Sequence, residues 1–150
     1  MANTYSQIYI HLVFAVSGRL TLIRNEWKNE LYKYITGIIK NENQKLMAIN
    51  GTSDHVHLLV GIKPEISLSN LVRDIKSNSS RFLNEKHKLK IKFKWQEGFG
   101  AFSYSYSMVD TIVKYINNQE NHHRKKSLRE EYIEILEKFH IKYEDKYIFN

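Results

Sequence analysis

The chain has 150 residues, is 42% hydrophobic and 26% charged, and contains one proline and no cysteine, so one domain over residues 1–150 is predicted. These values argue against a disordered or collagen-like chain and exclude disulfides and cysteine-based sites. No apolar run approaches the roughly 18 residues of a membrane helix, and residues 1–4 do not resemble a signal peptide, so a cytoplasmic protein without a membrane partner is expected.

The net charge of +7 is unevenly distributed along the chain. Seven basic and seven acidic residues cancel between residues 120 and 150, so the whole excess lies in residues 1–119. A basic surface favours phosphate polyanions such as nucleic acid. Charge alone leaves open the alternative that the basic residues only keep the protein in solution.

The first half of the chain predicts a strand, a helix and a hairpin. Residues 7–16 alternate with period two. The alternation places Tyr9 and His11 on one face of a strand and five apolar residues on the other, namely Ile8, Ile10, Leu12, Phe14 and Val16. Asn25 can cap a helix whose apolar residues follow helical spacing. Two more strands are predicted at residues 45–50 and 55–62, and the turn-forming residues between them indicate a hairpin.

The second half predicts one more strand region and three helices. Ser67 can cap a second helix, and residues 88–95 alternate between lysine and apolar residues, which predicts a strand at least from Lys90 on. The aromatic residues of 99–106 follow, alternating with small ones. Two capping boxes then predict two more helices. Ser107 with Asp110 opens a third helix that runs to about His122, and Ser127 with Glu130 opens a fourth.

The predicted order is therefore β-α-β-β-α-β followed by two helices. Its first six elements match the split β-α-β, or ferredoxin-like, arrangement. We expect an α+β fold in which an antiparallel sheet has helices on one face and two additional C-terminal helices.

Two histidines in the third predicted strand are candidate metal ligands. Side chains two apart on a strand point to the same face, so His55 and His57 lie side by side while Val56 faces the core. Two neutral imidazoles at this spacing can bind one divalent ion. The pattern is short, and a pair of surface histidines remains the alternative.

Tyr115 and Gln119 form a second candidate pair, since residues four apart on a helix are neighbours. By angular count they lie with His122 on a flank of the apolar stripe of the third helix, where side chains can reach a cleft. The alternative is a boundary tyrosine whose ring is half-buried and whose hydroxyl is in water.

The lysines of residues 88–94 are candidates for a nucleic-acid contact. Next to Tyr104 and Tyr106 they could form a track for phosphates with stacking platforms for unpaired bases. Edge strands also carry lysines that block edge-to-edge aggregation, and the sequence leaves both explanations open.

Four segments occur in a characteristic order: HLVF at 11–14, DHVHLLV at 54–60, FKWQEGFGAFS at 93–103 and YINNQENHH at 115–123. Together they resemble the HUH single-tyrosine transposases, the insertion-sequence 200/605 family, and their REP-associated relatives. The resemblance covers nearly the whole chain. Each segment alone is weak, but their order is specific and favours functional roles for the two candidate pairs.

The resemblance implies a metal-dependent transposase that cleaves and rejoins single-stranded DNA at hairpin-bearing element ends. His55 and His57 match the HUH metal ligands, and Gln119 matches the third ligand. Tyr115 matches the nucleophile that forms a 5′-phosphotyrosine. The implied ion is Mg²⁺ or Mn²⁺. The implied partners are single-stranded DNA with hairpins and a second copy of the chain that shares the active sites.

The family motifs do not fix the DNA contacts. We expect them among the basic residues of the second helix and the lysine-rich stretch, namely Arg73, Lys76, Lys90, Lys92 and Lys94. Three alternative functions stay open. They are a catalytically silent or domesticated protein that binds hairpins, a phosphodiesterase that uses water while Tyr115 is a bystander, and generic RNA binding.

Overall fold

A four-stranded antiparallel sheet forms the centre of the computed structural model, which describes residues 3–123 and 125–148. Its strands lie in the order β2-β3-β1-β4, so β1 and β3 are central. Their bounds are β1 Tyr9–Ala15, β2 Lys45–Gly51, β3 His55–Gly61 and β4 Gly100–Tyr104. The predicted α+β, ferredoxin-like arrangement is confirmed.

Helices cover both faces of the sheet. On one face α1 (Lys28–Asn41) and α2 (Leu68–His87) enclose the larger core, which includes Leu12 and Leu58. On the other face lie α3 (Val109–Asn117), the short α4 (Gln119–His123) and α5 (Leu128–Lys138). None of the helices in the described part of the chain is long and apolar enough to cross a membrane.

Most elements with a clear period form where the sequence predicts them. The first strand and the hairpin are confirmed, and β2 and β3 pair antiparallel. Two of the predicted helix caps are present as well. The backbone N–H of Asn70 donates to Ser67 Oγ over 3.3 Å, and that of Glu130 donates to Ser127 Oγ over 3.2 Å.

Two other caps were predicted wrongly. The first helix begins at Lys28, after Trp27, and no side chain caps it, so Asn25 has no such role. Residues 106–108 form a 3-10 turn before α3, and Ser107 Oγ lies 2.9 Å from Ser105 Oγ instead of capping the helix. The local turn thus uses the hydroxyl that the capping box would need.

The third predicted helix is interrupted before His122. Asn118 has φ −102° and ψ 21°, and its N–H approaches both Lys114 O and Tyr115 O. This tightened turn ends α3 at Asn117, and α4 begins at Gln119.

The strand predicted from Lys90 does not form. Among residues 88–95 only Trp95 pairs with another strand region, as an isolated bridge to Val16. The side chain of Asn84 in α2 instead binds the backbone N–H and C=O of Phe93, over 2.7 and 2.9 Å. Because α2 satisfies these backbone groups, the stretch is held as an irregular segment. The fourth strand of the sheet, β4, comes from the aromatic run.

Candidate active site

The two histidines of β3 lie in the interior of the protein. His55 and His57 face the side of the sheet that α3, α4 and α5 cover, and both are fully buried. The neighbouring β1 residues, Ala15 opposite His55 and Val13 opposite His57, are apolar and buried as well. The alternative of a surface pair is therefore wrong.

The turn before β3 orients His55. Its Nδ1 lies 2.8 Å from Asp54 Oδ1, and the hydroxyl of Thr52 donates to the same oxygen over 3.0 Å. Burial alone would raise the pKa of Asp54, but the hydrogen bond and charge of His55, the hydrogen bond from Thr52 and the charge of His123 together lower that pKa. An Nδ1–H that donates to Asp54 leaves the Nε2 lone pair of His55 pointing into the site.

His57 is held by a third histidine, whose role the sequence did not reveal. His11 Nε2 lies 2.8 Å from His57 Nδ1, and the two rings stack with centroids 5.0 Å apart. Burial lowers the pKa of His11 to about 3 and that of His57 to about 4, so both rings are neutral near pH 7. A proton on His57 Nε2 donates to Glu131, whereas a proton on Nδ1, with His11 as acceptor, would leave Nε2 free for a metal.

Tyr115 and Gln119 reach the histidines of their own chain. Gln119 is fully buried rather than on a flank, and its Oε1 lies 3.4 Å from His55 Nε2. The half-buried Tyr115 ring has its centroid 5.8 Å from that of His57. The break at Asn118 therefore does not separate the two predicted pairs. One chain brings all four residues together.

Glu131 of α5, which is not among the residues predicted from the sequence, lies between these groups. Its Oε1 is 3.1 Å from both His57 Nε2 and His123 Nε2, and its Oε2 accepts a hydrogen bond from the Tyr115 hydroxyl. Burial would raise the pKa of Glu131, but hydrogen bonds from His123 and His57 hold it well below its usual range. Burial and this negative charge raise the pKa of Tyr115, which keeps the phenol protonated.

These side chains can hold a divalent metal ion. The ligand atoms of His55, His57, His123 and Glu131 all lie within 4.8 Å of one another. Imidazole, amide oxygen and carboxylate are all common ligands of divalent ions. One signal for the missed carboxylate was present, since Glu131 is three residues after Leu128 and four before Ile135, within the apolar stripe of α5.

The residues predicted to contact DNA are only partly brought together. Arg73, Lys76 and Lys94 line one cleft between α2 and residues 94–99. Lys76 donates to the carbonyls of residues 96 and 98, and burial lowers its pKa to about 8, so this ammonium positions the loop. Lys90 and Lys92 are exposed on the irregular segment outside that cleft.

The tyrosines predicted to stack beside the lysines lie elsewhere. Tyr104 packs against Phe139, the residue directly after α5, with ring centroids 5.5 Å apart. Tyr106 is 66% exposed in the turn before α3, with its ring 6.3 Å from that of Tyr9. Since the lysine strand is not formed, no regular face combines these groups as predicted.

The chain is similar in sequence to known transposases. A family model described as "Transposase IS200 like" matches residues 4–119. The transposases for insertion sequence element IS200 of Salmonella typhimurium strain LT2 and of Salmonella typhi are each 27% identical to this chain over 115 residues. Each alignment covers 76% of this chain and 73% of the relative.

Two solved structures have the same fold. One is a presumed transposase from Deinococcus radiodurans R1, with a TM-score of 0.64 and 24% identity, covering 78% of this chain and 94% of that one. The other is a REP-associated tyrosine transposase bound to a REP hairpin, with a TM-score of 0.61 and 16% identity. The match covers 81% of this chain and 72% of that one. At these identities the likeness supports the fold alone.

Proposed function

This chain belongs to the IS200-like transposase family, and on that premise we propose that it cleaves and rejoins single-stranded DNA through a covalent bond to Tyr115. The observation that carries the proposal is the position of a phenol beside buried metal-ligand groups. The Tyr115 and His57 rings are 5.8 Å apart, and Gln119 lies 3.4 Å from His55. Nucleophilic cleavage of a phosphodiester requires such a nucleophile next to a source of positive charge.

In this proposal His55, His57 and Gln119 hold Mg²⁺ or Mn²⁺. The bound ion would supply stabilisation of the charge on the phosphate and on the leaving 3′ oxygen. The chain itself supplies two neutral imidazoles and a neutral amide. Asp54 and His11 fix the directions in which the imidazole lone pairs point.

The nucleophile needs a group that takes its proton, since a free phenol has a pKa of about 10. The hydroxyl of Tyr115 donates to Glu131, so an acceptor is already in place. As the proton leaves, the Tyr115 oxygen bonds to phosphorus and the bond to the 3′ oxygen breaks. The 3′ oxygen takes up a proton, which leaves a 5′-phosphotyrosine and a free 3′-OH.

The covalent intermediate explains rejoining without an external energy source. A 3′-OH attacks the phosphotyrosine, the P–O bond to Tyr115 breaks, and the phenol recovers its proton. A hydrolytic nuclease would lose this bond to water. The same residue therefore serves both halves of a strand transfer.

We further propose that the DNA carries a hairpin, as in the REP-associated relative, which is bound to one. The cleft that Arg73 and Lys94 line offers positive charge on the α2 side of the sheet. The segment of residues 94–99 that lines the cleft meets β1, because the N–H of Gln96 donates to Ala15 O. Ala15 in turn pairs with His55 of β3 on its other side. A strand bound in the cleft would have to pass around this edge of the sheet to reach the histidines on the opposite face.

Replacing Tyr115 with Phe tests the proposal. Wild-type protein, incubated with single-stranded hairpin oligonucleotides and Mn²⁺, is expected to form a protein–DNA adduct that survives denaturing electrophoresis. Y115F should form none and cleave nothing while it binds hairpins as before. The control Y5F changes a tyrosine that is 93% exposed and should behave like wild type. Cleavage by Y115F would support a nuclease that uses water. Absence of cleavage by the wild type would support a protein that only binds hairpins.

The same assay decides whether two copies share a site. Mixed Y115F and H57A proteins would regain adduct formation if the tyrosine of one copy served the histidines of another, as the resemblance implies. We expect no recovery, because Tyr115 already meets the histidines of its own chain. Recovery in the mixture would establish the shared arrangement instead.

A further inference from the structure

We propose that Glu131 of α5 is a ligand of the metal ion, in addition to His55, His57 and Gln119. The inference rests on the proposed function, since it concerns the ion of that site. Glu131 lies outside residues 4–119, the part of the chain that the family model matches. The assignment therefore depends on the contacts of this chain alone.

The distances around Glu131 are those expected between ligands of one ion. An octahedral Mg²⁺ has its ligands at about 2.1 Å, which places adjacent ligand atoms about 3 Å apart. Glu131 Oε1 lies 3.1 Å from His57 Nε2, the nitrogen that would bind the ion. The pair formed by His55 Nε2 and Gln119 Oε1 is separated by a similar 3.4 Å.

Burial indicates that this carboxylate has a cationic partner. Glu131 is 2% exposed, and acidic groups are almost never buried so fully unless they are paired. Among the described residues no lysine or arginine forms an ion pair with it, and its neighbours are imidazoles, a phenol and an amide. A divalent ion would supply the missing charge.

The two oxygens of Glu131 are directed to different groups. Oε1 faces His57 and His123, whereas Oε2 accepts from the Tyr115 hydroxyl. One oxygen can therefore bind the ion while the other holds the nucleophile. The carboxylate also adds a hard, negatively charged ligand, which favours Mg²⁺ and Mn²⁺ over ions that prefer imidazole, such as Zn²⁺.

The test measures Mn²⁺ binding by the full chain in the absence of DNA, from the loss of the free Mn²⁺ signal in electron paramagnetic resonance. Loss of a group that merely orients a ligand commonly weakens metal binding by about 10- to 100-fold. For Glu131→Gln we expect at least a tenfold weaker affinity for Mn²⁺ and a smaller loss of affinity for Zn²⁺. Glu137→Gln removes the same charge from an exposed position of α5 and should change neither.

Two comparisons separate the possible failures. If wild type does not bind Mn²⁺, or if His57→Ala binds Mn²⁺ as wild type does, the metal site of the proposed function itself is wrong. If His57→Ala abolishes binding but Glu131→Gln binds Mn²⁺ as wild type does, only the role of Glu131 is overturned. Tighter binding by Glu131→Gln would also overturn it, since the carboxylate would then compete with the ion.

A second variant covers the case in which Glu131→Gln does not fold, as judged by circular dichroism. Glu131→Asp keeps the charge but withdraws it by one methylene, so Mn²⁺ affinity should fall measurably and remain above that of any variant without a carboxylate. An Mn²⁺ affinity unchanged from wild type in Glu131→Asp would contradict a direct ligand role.

Discussion

At the scale of single residues, the chemistry of the site depends on which nitrogen of each histidine is free. Asp54 binds Nδ1 of His55, and His11 binds Nδ1 of His57, so both Nε2 atoms point toward Glu131 and Gln119. These partners need not touch the ion or the DNA to matter. They fix ring orientation and tautomer, which a free histidine would have to select on binding.

Removing the partner of His55 should therefore weaken metal binding. For Asp54→Ala we expect an Mn²⁺ affinity lower by about 10- to 100-fold, because His55 loses the acceptor that holds its proton on Nδ1. Titration of Mn²⁺ into the protein measures it. Asp145→Ala, at a side chain that is 79% exposed, removes the same charge and should have no effect. Equal affinities for wild type and Asp54→Ala would show that Asp54 does not orient His55.

The residues that the sequence revealed are those with local patterns. His55 and His57 follow the period of a strand, and Tyr115 and Gln119 the period of a helix. Glu131 is 74 residues from His57, and no local period relates them. Only the packing of α5 onto the sheet joins the two, and the family resemblance did not point to it either. The charge within the apolar stripe was the one available sign.

At the scale of elements, the β2–β3 hairpin positions the histidine pair. Gly51 ends β2 where the chain approaches the first residue of β3 most closely. A Cβ added there would lie 2.1 Å from the carbonyl oxygen of His55. Only glycine lets the two strands close at this point without moving the backbone that carries His55.

Alanine at two glycines should have opposite effects on stability. Gly51→Ala is expected to lower the free energy of unfolding by about 1–3 kcal/mol, as for other overpacked positions, because the clash is with backbone. Gly37→Ala, exposed in α1 with no atom within 4 Å of the added Cβ, should raise it by about 0.5–1 kcal/mol. Urea denaturation measures both. Stabilisation by Gly51→Ala would show that the hairpin can open at this point.

The failed strand prediction shows what a local pattern leaves out. Residues 88–95 alternate correctly, and Phe93 and Trp95 are buried, yet a strand also needs a neighbour for its backbone groups. Asn84 takes that place for Phe93, and Ile91 remains 59% exposed. Alternation reports which side chains can be buried, while the pairing is decided by elements distant in sequence.

At the scale of the whole molecule, the two layers of helices have different tasks. The face under α1 and α2 holds the larger apolar core, whereas the opposite face holds the histidines, Tyr115 and Glu131 under three short helices. The net charge of +7 adds an attraction for nucleic acid that acts over the whole surface. The position of the bound strand must then come from local groups of charge.

Charge reversal distinguishes local contacts from overall charge. With Lys90, Lys92 and Lys94 changed to Glu, we expect weaker binding of hairpin DNA. Loss of three phosphate contacts, each worth roughly 0.7 in the slope of log affinity against log salt concentration, should make that slope smaller by about 2. The control changes three exposed lysines elsewhere, Lys33, Lys40 and Lys45, and alters the net charge equally. Equal losses in both variants would mean that only overall charge matters. An unchanged affinity in the variant of Lys90, Lys92 and Lys94 would mean that these lysines act only against aggregation.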